Sequence, residues 1–253
     1  MYEQRAATAP PISQTERVIL TLREMLLRGD FAPGERLAEL TLVRRLNASR
    51  TPVRLALDRL AREGVLETLP AGGFRVREFA IADIWDAIEI RGVLEGTAAR
   101  FAAERLTEPD ELLRLRLCCR DAEQLLPMSL ENFVRYVEIN DAFHAELWRL
   151  AKSPMLSRTL ESLIALPFAG PGALVFASTE PSEPTNLAII AIEHFRGIAD
   201  AIANREGTRA EGLAREHARL ARRHLATALK DREVFNRMPG ASLVRLPVPI
   251  GAL

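Results

Sequence analysis

The sequence predicts a mainly α-helical protein in two parts: three short helices closed by a small β-hairpin, then a longer all-α antiparallel helical bundle. Three observations carry this. Apolar residues recur three and four positions apart along most of the 253 residues, as on one face of a helix. Strand-like runs are confined to the stretch around Gly72 and Gly73, and from about Ile81 the helical pattern lengthens with almost no strand signal.

The elements follow in order. Pro10 and Pro11 close a polar leader over 1–11, after which Val18, Ile19, Leu22, Met25 and Leu26 form one helical face until Gly29 stops it. FAPGERL is a turn, because Pro33 fixes one torsion and Gly34 relaxes the next. A short amphipathic helix runs from Ala38 to Leu46 and is broken by Asn47 and Ala48. Ser49 is placed to cap a third helix, in whose first turn Pro52 is tolerated, since its missing N–H has no partner to lose. Val53, Leu57 and Leu60 are its inner face, and Gly64 ends it. VLETLP and FRVREF then read as two strands of a hairpin around Ala71, Gly72 and Gly73. The spacing beyond predicts helices near 81–105, 108–126, 129–151, 154–166, 185–204 and 207–230, with PFAGPGALVFASTEPSEPTN as a loop and 232–253 as a C-terminal tail. The domains so defined are 12–79 and 80–231.

Composition excludes several classes. No run of about 18 apolar residues offers a membrane span, and the start, MYEQRAATAPPISQ, lacks the apolar core of a signal peptide, so a cytoplasmic protein is expected. Cys118 and Cys119 are adjacent on one helix, which suits neither an easy disulfide nor a zinc framework; they read as small helix residues in a reducing compartment. The 34 basic and 34 acidic side chains cancel only on average. Residues 1–80 hold 13 Arg against 10 acids, and Arg36–Arg77 hold nine against four. The head is basic and the helical remainder slightly acidic.

Three short helices and a two-stranded wing make a winged helix-turn-helix, whose third helix enters the DNA major groove while the wing reaches the neighbouring backbone or minor groove. Ser49 and Thr51 offer hydroxyls to phosphates at an anion-attracting helix N-terminus. Arg50 and Arg54 lie four apart on one face, each able to bind guanine O6 and N7, worth roughly 1–3 kcal/mol of discrimination. Arg36 and Arg44 flank the turn and are placed to hold the strand.

The strings PGERLAEL, NASRTPVRLALDRLAREGVLE and GGFRV, taken together, resemble the DNA-binding domain of the GntR family of bacterial transcriptional regulators, from about Ile12 to Phe79. The resemblance implies that Arg36, Arg44, Ser49, Arg50, Thr51 and Arg54 face DNA, with Gly72 and Gly73 at the wing tip. IEIRGVLEGTAAR, NDAFHAELWRLAKSPML and IADAIANREGTRAEGLAREHARL resemble the all-helical FCD ligand-binding domain of the FadR-type subgroup, over about 81–230.

That second resemblance implies a divalent metal, zinc, nickel or manganese, held by one Asp and three His. This sequence departs from the pattern. Asn140 stands four residues before His144 where Asp is expected, unless Asp141 turns inward; Phe195 stands where a His is expected, with His194 beside it about 100° around the helix. His217 fits the last ligand, and His224 lies two turns further on. The metal candidates are thus His144, His217 and His194. Without metal, Asn140, His144 and His217 would hydrogen-bond an effector directly, and Arg91 resembles the position that meets an acidic ligand, or else pairs with a neighbouring carboxylate.

The implied protein is a ligand-responsive regulator, most often a repressor in this family, that binds a palindromic operator as a homodimer at the nucleoid. An enzyme reading finds no nucleophile motif, phosphate loop or His-Glu metalloprotease pair. A helical interaction module with a lost sensor is the remaining alternative.

Overall fold

In the computed structural model, which describes residues 13–172 and 182–246, the chain divides between Arg77 and Glu78 into two compact units. The first begins with α1 (Gln14–Arg28). A reciprocal cap starts it: Ser13 Oγ accepts from the Glu16 N–H, and the Glu16 carboxylate accepts from the Ser13 N–H. Gly29, left-handed at φ 86°, ends it. β1 (Arg36–Leu37), α2 (Glu39–Arg45) and α3 (Arg50–Arg62) follow, then β2 (Leu66–Thr68) and β3 (Phe74–Val76). Val18, Leu22, Met25 and Leu26 of α1 meet Val53, Ala56, Leu57 and Leu60 of α3 in a core that also takes Leu42, Leu66, Phe74 and Val76.

The wing differs from the sequence expectation in two ways. It is a three-stranded antiparallel sheet in the order β1-β3-β2, with Arg36 opposite Arg75 and Glu67 opposite Arg75 on the other side. A two-residue strand has no period of its own, so β1 is visible only through its partner. Phe79 also leaves the hairpin: with Ala80 it forms β4 (Phe79–Ala80), which pairs in parallel with β5 (Val244–Arg245) in the second unit.

The second unit is helical: α4 (Ile81–Arg105), a 3-10 turn at Pro109–Leu112, α5 (Leu113–Glu123), α6 (Leu130–Leu150), α7 (Pro154–Ile164), α8 (Ser182–Ala203), α9 (Gly207–Ala228) and α10 (Arg232–Asn236). The leader and part of the loop before α8 lie outside the described residues, as do 247–253. The expected tail is corrected up to Leu246. Val234, Phe235, Met238 and Leu243 are buried, and the Phe235 ring stacks on Phe168 with centroids 5.9 Å apart. Burial of those apolar side chains outweighs the breaking effect of Pro239. Cys118 and Cys119 are free thiols on α5; burial pushes Cys119 up to about 12, so it stays protonated and unreactive near neutrality. Among the described residues no helix is long and apolar enough to cross a membrane.

Helix α4, about 37 Å long at 1.5 Å per residue, packs closely along α9. A Cβ built on Gly92 would lie 3.0 Å from Ala218 Cβ, and one on Gly96 2.8 Å from Arg215 Cγ and 3.1 Å from the Glu211 carbonyl oxygen. Two absent side chains therefore set the interhelical distance. Gly212, also within α9, has nothing within 4 Å of such a Cβ. The two sites should respond in opposite directions in chemical denaturation: Gly96→Val lowers stability by about 1–3 kcal/mol through overpacking, while Gly212→Ala raises it by about 0.5–1 kcal/mol through helix propensity.

Candidate nucleic-acid interface and effector cavity

The face of α3 opposite its buried residues carries Arg50, Thr51 and Arg54, all exposed, and Ser49 stands exposed at the helix start. Ser49 occupies the N-cap position but makes no side-chain capping bond, which corrects the expected cap and leaves its hydroxyl for another partner. Arg44 is exposed at the end of α2.

Ion pairing separates the arginines of this unit into two groups. Arg23 and Arg59 pair with Glu63, Arg28 and Arg45 with Asp30, and Arg75 with Glu67. Arg17, Arg44, Arg50, Arg54 and Arg62 make no ion pair among the described residues, and three of them, Arg44, Arg50 and Arg54, stand together at the end of α2 and the start of α3. Arg36 is held differently: its Nη2 donates to the Gly72 carbonyl at 3.1 Å, and it lies beside Gly73, where a Cβ would sit in ordinary contact at 3.5 Å from the same nitrogen. Both glycines have positive φ, 83° and 89°. Arg36 and the wing tip, far apart in sequence, form one feature.

In the second unit a cavity is lined by Arg91 of α4, Tyr136, Asn140 and His144 of α6, and His217 and His224 of α9, with apolar walls including Phe133, Ala188 and Leu220. The room open to the centres of water-sized molecules is about 30 Å³, enough for about two waters. Spacing of four places Arg91 and Glu95 one above the other on α4. Arg91 Nε lies 3.7 Å from Glu95 Oε2, and Arg91 Nη1 donates to the Ala169 carbonyl at 2.9 Å. Glu95 Oε1 is 2.8 Å from His144 Nδ1, and His144 Nε2 is 3.2 Å from His217 Nε2. Arg91, Glu95, His144 and His217 form a buried polar chain.

Its charges are matched. Burial pushes the Glu95 carboxyl up, but His144 and Arg91 beside it outweigh that and hold it below the ordinary carboxylate value. Burial, reinforced by His144, keeps His217 well below the usual imidazole range, and burial lowers His224 to about 4. A neutral His217 donating from Nε2 suits a His144 whose Nδ1 faces Glu95. Glu95, which meets both Arg91 and His144, is the member of this chain to which the sequence assigns no role. Arg91 does pair with a carboxylate, as one of the two alternatives had it.

The residues do not fit a metal centre of three histidines and a carboxylate. The two Nε2 atoms of His144 and His217 are close enough to share an ion at the usual ~2.0–2.1 Å, but the remaining donors are missing. Phe195 fills the third position, stacked on Phe143 at 3.9 Å and tilted against His217 at 4.9 Å. His194 is only half-buried, and its ring centroid is 5.9 Å from that of His217. Asn140 is the buried residue and Asp141 the exposed one, so no carboxylate turns in at that point. Among the described residues no three His, Cys, Asp or Glu side chains converge as a metal site. The set expected to hold zinc, nickel or manganese, His144, His217 and His194, is thus not brought together among the described residues.

Residues 86–220 match the FCD domain family, and residues 14–76 match the family described as bacterial regulatory proteins, gntR family. The chain belongs to the GntR family. This GntR-family chain is 34% identical over 133 residues to the Nta operon transcriptional regulator of Aminobacter aminovorans, covering 53% of the chain and 61% of that protein. It is 30% identical over 160 residues to the HTH-type transcriptional repressor RspR of Escherichia coli K12, covering 61% and 66%. These matches thus span less than two thirds of each relative. Among solved structures, E. coli McbR/YncC superposes with a TM-score of 0.62 at 25% identity, covering 88% of this chain and all of that one. The relatives are transcriptional regulators, not enzymes. The arginines of the α3 face fall within the gntR match and the chain from Arg91 to His217 within the FCD match, while His224 lies beyond it.

The neutral histidines fix a pH dependence. Their folded pKa values are depressed, so below about 6.5 the unfolded chain binds more protons than the folded one. Stability should be full above that pH and fall steadily toward pH 4, where His224 also titrates in the folded state. Urea unfolding at a series of pH values measures this, and His224→Gln should make the slope shallower. A level profile across the range would show that these histidines do not fold neutral.

Proposed function

We propose that this GntR-family chain is a ligand-responsive transcriptional repressor that binds a palindromic operator as a homodimer, in the cytoplasm at the nucleoid. Residues 12–79 serve as the DNA-binding domain and 80–231 as the effector-binding and dimerisation domain. The observation that supports the reading is the grouping of exposed arginines without ion pairs at the end of α2 and the start of α3, Arg44, Arg50 and Arg54; Arg17 and Arg62, also without ion pairs, lie elsewhere on α1 and at the end of α3. A cation left without a protein partner on an outward helix face is free to meet a phosphate or a guanine edge. Ser49 and Thr51 add hydroxyls to the same end, and Arg36 on Gly72 and Gly73 directs the wing at the backbone. RspR is named a repressor, which supports that sign. A modest surplus of positive charge on one head favours two heads on one site, as dimeric helix-turn-helix proteins use two half-sites.

The effector is a small organic acid bound without metal. Arg91 supplies a buried cation at the cavity wall, and Asn140, His144 and His217 supply hydrogen-bonding groups around it. A cavity with room for only a few atoms must open to admit such a molecule, so ligand binding selects a different helix arrangement and changes DNA affinity by linkage. The same small volume favours a second reading, in which the helical unit dimerises and senses nothing.

Genomic fragments retained by the purified protein would define the operator. On that site, Arg50→Ala and Arg54→Ala should each relax base preference by about 1–3 kcal/mol, whereas Arg36→Ala should weaken all sequences evenly and lower the salt dependence. Wild-type footprints from both α3 variants would overturn the groove assignment. A thermal-shift screen of small carboxylic acids should find at least one that stabilises the wild type and has no effect on Arg91→Ala. If none stabilises the wild type, the non-sensing reading stands instead.

A further inference from the structure

Leu55 is 48% exposed on α3. Single exposed leucines are ordinary on protein surfaces, and Leu20 and Leu40 are others in this unit, on α1 and α2. What distinguishes Leu55 is its place. The buried residues Pro52, Val53, Ala56, Leu57 and Leu60 define one side of α3, and the opposite side is centred near Thr51 and Asp58. Arg54 and Leu55 flank that centre, one on each edge, about 100° apart. Leu55 lies one turn beyond Thr51, so its side chain leans back over the first turn of the helix, toward the same end as Arg50 and Thr51. The outward face of α3 near the helix start thus carries Arg54 on one edge and the single apolar side chain of Leu55 on the other, with Thr51 between them and Asp58 further along.

We propose that Leu55 is a specificity residue that reads a thymine in each operator half-site through its C5 methyl group; the inference rests on α3 being the helix that enters the major groove. The major groove displays hydrogen-bonding edges for every base pair but only one apolar group, the thymine methyl. A leucine in that groove has no hydrogen bond to make, and its favourable contact is with that methyl. Arg54 and Leu55 diverge around the helix while their Cα atoms are a single residue apart, so the guanine met by Arg54 and the thymine met by Leu55 lie within about two base pairs of each other. Leu55 so placed would supply sequence information that the arginines cannot, since arginine selects guanine and contacts phosphates regardless of sequence.

The test uses the full-length protein and the operator it selects from a randomised duplex pool. Each thymine is replaced singly by deoxyuridine, which removes the methyl and leaves every hydrogen-bonding group. Burial of one methyl corresponds to about fourfold in affinity, and both half-sites together to about fifteenfold. The expected result is one thymine per half-site at which deoxyuridine weakens the wild type by these factors, within about two base pairs of the guanine whose preference Arg54→Ala relaxes. Leu55→Ala should bind the thymine and deoxyuridine duplexes equally, and Leu55→Met should keep the discrimination. Thermal melting of the variants controls for folding. The proposal is overturned if no thymine shows methyl dependence, or if that dependence persists in Leu55→Ala. If Arg54→Ala also leaves base preference unchanged, the groove assignment falls together with it; if Arg54→Ala alone has its effect, the groove assignment stands and only the role of Leu55 is lost.

Discussion

The close approach of α4 to α9 is the constraint on which the helical unit depends. Gly92 and Gly96 form a stripe four residues apart, and the space their missing side chains leave is filled by Ala218 and by the Arg215 and Glu211 turn of α9. Arg91 and Glu95 form a second stripe one residue earlier, about 100° around the helix. Docking the glycine stripe on α9 therefore fixes the direction of the charged stripe. That direction carries the Glu95 carboxylate to His144 on α6, and His144 in turn to His217, which α9 itself supplies. The residue pairs 91–92 and 95–96 are the two halves of one device, in which backbone proximity on one side orients polar chemistry on the other.

Burying Arg91 and Glu95 costs solvation on both sides, and an ion pair seldom repays this in full. The arrangement limits the cost by setting Arg91 against Glu95 and the Ala169 carbonyl, while burial keeps His217 and His224 from charging. Such a chain specifies position more than it stabilises. It also ties α4, α6 and α9 to the segment around Ala169, so that any molecule entering the cavity perturbs several elements together. Phe195, stacked on Phe143, closes the place where another donor would stand, and turns a ligand set into a hydrogen-bonding one.

The first unit handles its charge in the opposite way. Its paired arginines tie α1, α2 and α3 to one another, as in Arg23 and Arg59 on Glu63 or Arg28 and Arg45 on Asp30. Surface pairs of this kind contribute little stability each, and they occupy Asp30, Glu63 and Glu67 but not Glu39 or Asp58. Arg50 and Arg54 make no ion pair among the described residues, although Asp58 lies one turn beyond Arg54. A near-neutral chain thereby presents a locally basic surface without carrying a large net charge.

Local physics made much of this legible. Helix periods, the breaks at Gly29 and Asn47, the proline in the first turn of α3 and the order of the motifs depend on neighbours within a few residues, and the sequence determined them by itself, together with the arginines of the α3 face and the histidine pair at 144 and 217. The tertiary structure alone decided the rest. Strand β1, the β4–β5 pairing and the return of Phe235 onto Phe168 each need a partner distant in the chain, so no window of sequence displays them. Glu95 reads as one more acid on a helix until the fold sets His144 against it, and Arg36, which the resemblance already sets facing DNA, is joined to the wing tip only by its bond to Gly72. Whether Asn140 or Asp141 faced inward turned on a rotation of α6 that periodicity leaves open by a single residue, and packing settled it. Sequence fixes which groups are available; only the distances between elements decide which of them share a site.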